Sequence, residues 1–172
     1  MPRIERQHRA PDGTVSRAVY SDCERYRYLL SRDWGGGPRL LYVMLNPSKA
    51  TELANDPTIE RCERRARALG YGAVGIVNLF AWRETAPALL RKAEDPVGPE
   101  TDTLLDEALG WADHVLAAWG AHGDHLGRAA QVARRLADAP VPVFVLGLTQ
   151  AGHPRHPLYV SYATPLTRWE PC

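Results

Sequence analysis

The sequence predicts an α/β fold of three layers, α/β/α. Helices flank a central, mostly parallel four-stranded sheet, which an N-terminal β-hairpin extends. Two observations predict it. Leu40-Leu41-Tyr42-Val43-Met44-Leu45 is an unbroken apolar run between Gly35-Gly36-Gly37-Pro38 and Asn46-Pro47-Ser48, the pattern of a strand buried on both faces. Such strands belong to parallel sheets covered by helices. Runs of this kind also alternate with helical stretches, so right-handed strand–helix–strand units are the default connection.

The 172 residues suit one domain, residues 1–172, burying about 70% of the unfolded surface. Residues 1–16 are polar and expected to be loosely ordered. Residues 17–21 and 26–32 have the aliphatic and aromatic content of two strands around Asp22-Cys23-Glu24, which reads as an edge hairpin. After the strand at 40–45, Asp56 as N-cap and Pro57 at the first helical position mark a helix start. Ile59, Cys62, Ala66 and Leu69 then fall at inward spacing, and Gly70 supplies the stop. The exposed side carries Arg61, Arg64, Arg65 and Arg67, either a solvated face balanced by Glu60 and Glu63 or a phosphate-facing stripe.

A second buried strand at 73–77 is followed by a Pro- and Gly-rich loop to Val97-Gly98-Pro99. A helix over 100–109 follows, ended by Gly110. The third strand, 114–118, leads to a helix starting near Asp124 that buries Leu126, Ala130, Ala133 and Leu136 or their neighbours. The fourth strand covers 141–146; Pro142, lacking an amide hydrogen, places it at a strand start or a sheet edge. The tail is expected to be irregular.

Composition bounds the function. Apolar and charged fractions of 45% and 24% are ordinary for a globular protein. No apolar run approaches the roughly 18 residues that cross a bilayer, and no secretory signal is expected from MPRIERQHRAPDG. Cys23, Cys62 and Cys172 are odd in number and lack CxxC pairing, which fits a reduced, cytoplasmic protein without an iron–sulfur or structural zinc site. A net charge of +1 excludes a grossly basic DNA coat and leaves a local basic patch open.

Unusual polar and aromatic residues follow each buried strand: Asn46-Pro47-Ser48, Asn78-Leu79-Phe80-Ala81-Trp82-Arg83, Trp119-Gly120-Ala121-His122-Gly123, and a last loop with His153, His156 and Tyr159. Parallel strands deliver all of these to one sheet edge, where open α/β folds bind ligands. Asn side chains offer a donor and an acceptor to a nucleobase edge. Phe80, Trp82 and Trp119 suit stacking, worth ~1–3 kcal/mol per base. A His donates to an oxygen gaining negative charge. Each has a plainer alternative. Asn-Pro is a common turn, Asn78 can order its own loop, and the three aromatics can be core or lid residues. His114 reads as structural, and Arg32 and Arg83 as ion-pair residues or phosphate contacts. No GxxxxGK[ST], GxGxxG or GxSxG pattern occurs, so no nucleotide cofactor is expected. The pairs His122-x-x-His125 and His153-x-x-His156, with Asp56 or Asp124, leave a metal-dependent hydrolase as an alternative.

The segments RYLLSRDW, MLNPSKA, DPTIERC, GYGAVGIVNLFAWRETAP, DPVG, AAWGAHG and GHPRHPLYV resemble a bacterial family known chiefly as a domain of unknown function. The order of the strand-end motifs is similar, more distantly, to the uracil-DNA glycosylase superfamily, which removes damaged bases from DNA. MLNPS resembles its water-positioning loop, VNLFAWRETAP its base-reading strand end, and HPLYV its closing His-Pro motif. The resemblance implies that Asn46 orients water, Asn78 contacts the base and His156 stabilises the departing base anion, with His153 in that role if the motif aligns one His-Pro earlier. Pro47, Ser48, Phe80, Trp82, Trp119, His122 and Tyr159 would line the substrate. It further implies action on DNA or another nucleobase-containing ligand, a flipped damaged base in the first instance; a monomer without cofactor or membrane is expected. A non-catalytic nucleotide or nucleic-acid binder of the same fold is the other alternative.

Overall fold

The apolar run beginning at Leu40 forms β4 (Arg39–Met44) and lies inside the sheet. It is bonded in parallel to β5 (Ala73–Asn78) on one side and β6 (His114–Ala117) on the other, and β6 pairs in parallel with β7 (Val143–Val145). The computed structural model describes residues 2–171. Side chains alternate across a strand, and β4 is apolar in both phases. Leu40, Tyr42 and Met44 pack with Ile59, Cys62 and Ala66 of α1 (Pro57–Ala68). Leu41 and Val43 pack with Leu90 of α2 (Pro87–Lys92), Leu104 and Leu105 of α3 (Thr101–Trp111), and Val132 and Leu136 of α4 (Arg128–Asp138).

The sheet is mixed and has eight strands, not four, in the order β1-β2-β3-β5-β4-β6-β7-β8. The expected hairpin is present as β2 (Val15–Ser21) and β3 (Arg27–Asp33), and β3 joins β5 antiparallel. Residues 1–16 are not loose: β1 (Arg3–Arg9) pairs with β2 along its whole length. RIERQHR carries no apolar alternation, because this edge strand is held by backbone bonds and surface pairs such as Arg17–Glu5 at 2.9 Å. The tail contributes β8 (Thr167–Arg168), antiparallel to β7.

Several local boundaries differ from expectation. The Pro-rich loop contains α2, with Pro87 in its first turn and Leu90 buried. The third helix runs through Gly110 to Trp111. The fourth starts at Arg128, after two 3₁₀ turns; Leu126, at φ 57°, and Ala130 are exposed while Ala133 and Leu136 are buried. On α1, Leu69 is exposed and Arg65 is buried. Cys23 and Cys62 are free thiols, and Cys172 lies outside the described residues.

Gly37 and Gly72 let two backbones cross at the start of β4. A Cβ on Gly72 would lie 2.4 Å from the Gly37 nitrogen and 2.7 Å from its oxygen, where the Gly72 N–H donates to the Pro38 carbonyl at 2.8 Å. Gly72→Ala should therefore cost about 1–3 kcal/mol, read as a lowered urea midpoint. An unchanged midpoint would contradict the crossing.

Candidate functional site

Backbone and side-chain bonds interlock the loops at the carboxyl edge of the parallel strands. Leu79 N–H and Phe80 N–H donate to the Met44 and Leu45 carbonyls, joining the loop after β5 to the loop after β4. The Asn46 amide nitrogen then donates to the Glu84 carbonyl at 2.6 Å and the Pro47 carbonyl at 3.2 Å, and Glu84 N–H returns a bond to Pro47. Gly120 N–H donates to the Pro154 carbonyl at 2.8 Å, fixing the loop after β6 against the last loop. Gly120 has φ 74°, and a Cβ there would sit 3.4 Å from the His156 Cβ, so glycine suits both the turn and the close approach.

The last loop is clamped from α1. Arg61 donates to the Val160 carbonyl at 2.6 Å, and Arg65 donates to the Val160 and Ser161 carbonyls at 2.8 and 3.1 Å. Arg64 and Arg67 pair with Glu60 and Glu63 on the same helix. Of the two alternatives for this arginine face, the structure gives internally matched charges rather than a free phosphate stripe.

These loops enclose a cavity of about 580 Å³. Asn46, Pro47, Ser48, Asn78, Trp119, His122 and His156 all line it. Four sequence candidates lie outside it. Phe80 is fully buried in the core, tilted against His125 at 5.7 Å. Trp82 forms a bridge with Tyr26 and packs edge-on against it at 5.5 Å; the loop turns away before reaching the cavity. His153 closes a turn with Thr149, and Tyr159, 87% exposed, points to solvent from the 3₁₀ turn Pro157–Tyr159. The two HxxH pairs do not converge as a ligand set: among the described residues no group of three or more His, Cys, Asp or Glu is placed to hold a metal ion. His114 receives or donates a 2.7 Å bond with Tyr71, and Arg32 donates to Thr51 and Asn55, so both serve structure.

The wall also carries Arg27, Asp56 and Glu84, which sequence reasoning did not assign to it. The N-cap Asp56 accepts from Ile59 N–H at 2.9 Å and Ala50 N–H at 3.3 Å. The Glu84 carboxylate accepts from Thr85 N–H at 2.9 Å. Arg27 is wholly buried at the start of an apolar strand; a charged residue leading such a run was its only signal. Burial pushes its guanidinium down to about 10, with Asp56 opposing. Its Nη1 donates to the Ala50 carbonyl at 2.8 Å.

Three buried donors on this wall have no partner: Arg27 Nε, Asn78 Nδ2 and Trp119 Nε1. Tyr28 Oη and Arg65 Nε also lack partners elsewhere, but three such donors on residues of one cavity wall suit an acceptor brought from outside. His156 lies on the same wall. Its Nδ1 accepts from Leu158 N–H at 3.2 Å, so the neutral ring carries its proton on Nε2. Burial holds it below its ordinary value, and Asp56 offsets this in part.

These features define an α/β protein with a donor-rich cavity at the carboxyl edge of a parallel sheet core. The chain belongs to the family described as "Protein of unknown function (DUF1643)", whose model matches residues 27–158. Every residue on the cavity wall falls within that span. No curated protein and no solved structure matches the chain significantly. No helix among the described residues is long and apolar enough to cross a membrane.

Proposed function

We propose that the cavity binds a nucleobase and that the protein hydrolyses its N-glycosidic bond, on a layered α/β/α arrangement of the uracil-DNA glycosylase kind. The observation that carries this is the set of unpartnered buried donors, Asn78 Nδ2 and Trp119 Nε1 above all. They match the exocyclic carbonyl oxygens and ring nitrogens of a flat heterocycle. The Asn46 nitrogen is tied to two backbone carbonyls, which leaves Oδ1 to accept from a water and aim it at C1′ of the sugar. The C1′–N bond breaks with its electron pair leaving on the base, the water oxygen bonds to C1′, and the water's proton ends on the base. Asn46 is a weak base, so bond breaking leads and water capture follows. Asn78 and the His156 Nε2–H donate to the base as it gains charge, the stage at which such donors act most strongly.

The protonation of His156 has a definite sign. Its folded value lies below the ordinary 6.5, so folding favours the neutral ring. Stability and rate are full above the unfolded value and fall as pH drops through the lowered one. Protonating Nδ1 also removes the acceptor used by Leu158. The acid limb of kcat/KM should therefore lie below pH 6.5; a limb centred at or above that value contradicts the role given to His156.

The direct test is base release, followed by chromatography, from uracil-, hypoxanthine- and xanthine-containing oligonucleotides and the corresponding mononucleotides. Wild type is expected to exceed an Asn46→Ala, His156→Ala double variant by at least about 10²-fold on one of them. Equal, background rates on all of them would overturn the proposal.

A further inference from the structure

We infer that the cleft takes a free mononucleotide whose phosphate lies against Arg27, rather than a base turned out of a polymer. The inference rests on the nucleobase proposal above and narrows its substrate. Arg27 lines the cavity, is 2% exposed, and has an Nε without a partner. Among the described residues it forms no ion pair within bonding distance: its side-chain hydrogen bond goes to a neutral carbonyl, that of Ala50, and the Asp56 carboxylate acts on it only through space. A buried guanidinium ordinarily meets a carboxylate or phosphate, with which it forms short, charge-assisted bonds.

The amino end of α1 lies on the same wall, through Pro57, Thr58 and Ile59, and a helix N-terminus favours negative charge. The two wall carboxylates oppose an anion least where they are already engaged, and both Asp56 and Glu84 accept from backbone amides. A volume of about 580 Å³ falls in the ~300–1,000 Å³ range that encloses a whole small molecule.

The face around α1 and the β1–β2 edge point the same way. A polymer is held by rows of free Lys and Arg on its phosphates. Here the arginines of α1 face Glu60, Glu63 and backbone carbonyls. Arg6, Arg17 and Arg135 face Glu24, Glu5 and Asp106. Arg27, buried and without an ion pair among the described residues, lies on the cavity wall, where a polymer backbone does not follow its base.

Calorimetric titration of the full chain with nucleosides, their 5′-monophosphates and a short mixed-sequence single strand tests this. At least one monophosphate should bind about 10–100-fold more tightly than its nucleoside, the gain expected of one charge-assisted bond. The single strand should bind more weakly than that monophosphate. Arg27→Gln should abolish the difference while leaving nucleoside affinity in place. Should that variant fail to fold, inorganic phosphate must weaken monophosphate binding to wild type more than nucleoside binding. Equal affinity for nucleoside and monophosphate, or tightest binding of the strand, overturns the inference and leaves the nucleobase proposal standing. Binding of none of the three overturns both.

Discussion

His156→Ala should lower kcat for base release by about 10²–10³-fold, the usual loss when one preorganised donor to a developing anion is removed. The size of the effect follows from how the ring is held. Nδ1 accepts from Leu158 N–H, so Nε2–H is the donor without rotation or proton rearrangement. Gly120 leaves room for the His156 side chain, whose Cβ would lie 3.4 Å from a Cβ at position 120, and the loop behind it is pinned to α1 by Arg61 and Arg65. Because the ring is placed before substrate arrives, its hydrogen bond acts chiefly in the transition state. The loss should appear in kcat far more than in KM. Stability should change little, by about 1 kcal/mol for the lost bond to Leu158. A variant that keeps its full rate removes His156 from the chemistry.

Arg65→Ala should be the most damaging change on α1, lowering stability by about 2–4 kcal/mol through lost bonds and the space left behind. Its guanidinium is 1% exposed, donates to the Val160 and Ser161 carbonyls, and lies 5.3 Å from the Tyr162 ring. Removing it opens a void on the buried face of α1, leaves Arg61 as the remaining donor to the Val160 carbonyl and loosens the segment that carries His156, so base release should fall as well. Arg64→Ala is the matched comparison. Arg64 faces solvent and pairs only with Glu60 one turn back, and its removal should leave the urea midpoint unchanged. If both variants unfold at the same denaturant concentration, the clamp on the last loop does not exist.

That contrast also shows where the sequence was readable and where it was not. The central strands are legible because 40–45 and 73–77 are continuous apolar runs, a pattern that burial on two faces demands and few other environments tolerate. The start of α1 is legible because Asp56-Pro57 carries its own capping chemistry, and Asp56 does accept from Ile59 N–H. Helical periodicity alone placed Arg65 outside, since nothing local reveals that carbonyls 95 residues away will meet it. β1 left no apolar trace because its neighbours on both faces are mostly solvent. For the cavity, topology was informative: residues directly after parallel strands, Asn46, Asn78 and Trp119, come to one edge. Phe80 and Trp82, only two and four positions beyond Asn78, leave that edge because the chain turns back to pair with Arg27 and Tyr26. Arg27 itself comes from an antiparallel strand whose start, not its end, reaches the site.

The central claim is that buried donors on the cavity wall await the acceptors of a flat heterocycle. Heteronuclear NMR of the full chain during a titration with nucleoside monophosphates tests it most directly. The indole Nε1–H of Trp119 and the side-chain amide of Asn78 should shift together, saturating at the same ligand concentration, in the manner of hydrogen bonds being formed. Saturable binding that leaves both resonances in place, while signals elsewhere move, would contradict the account.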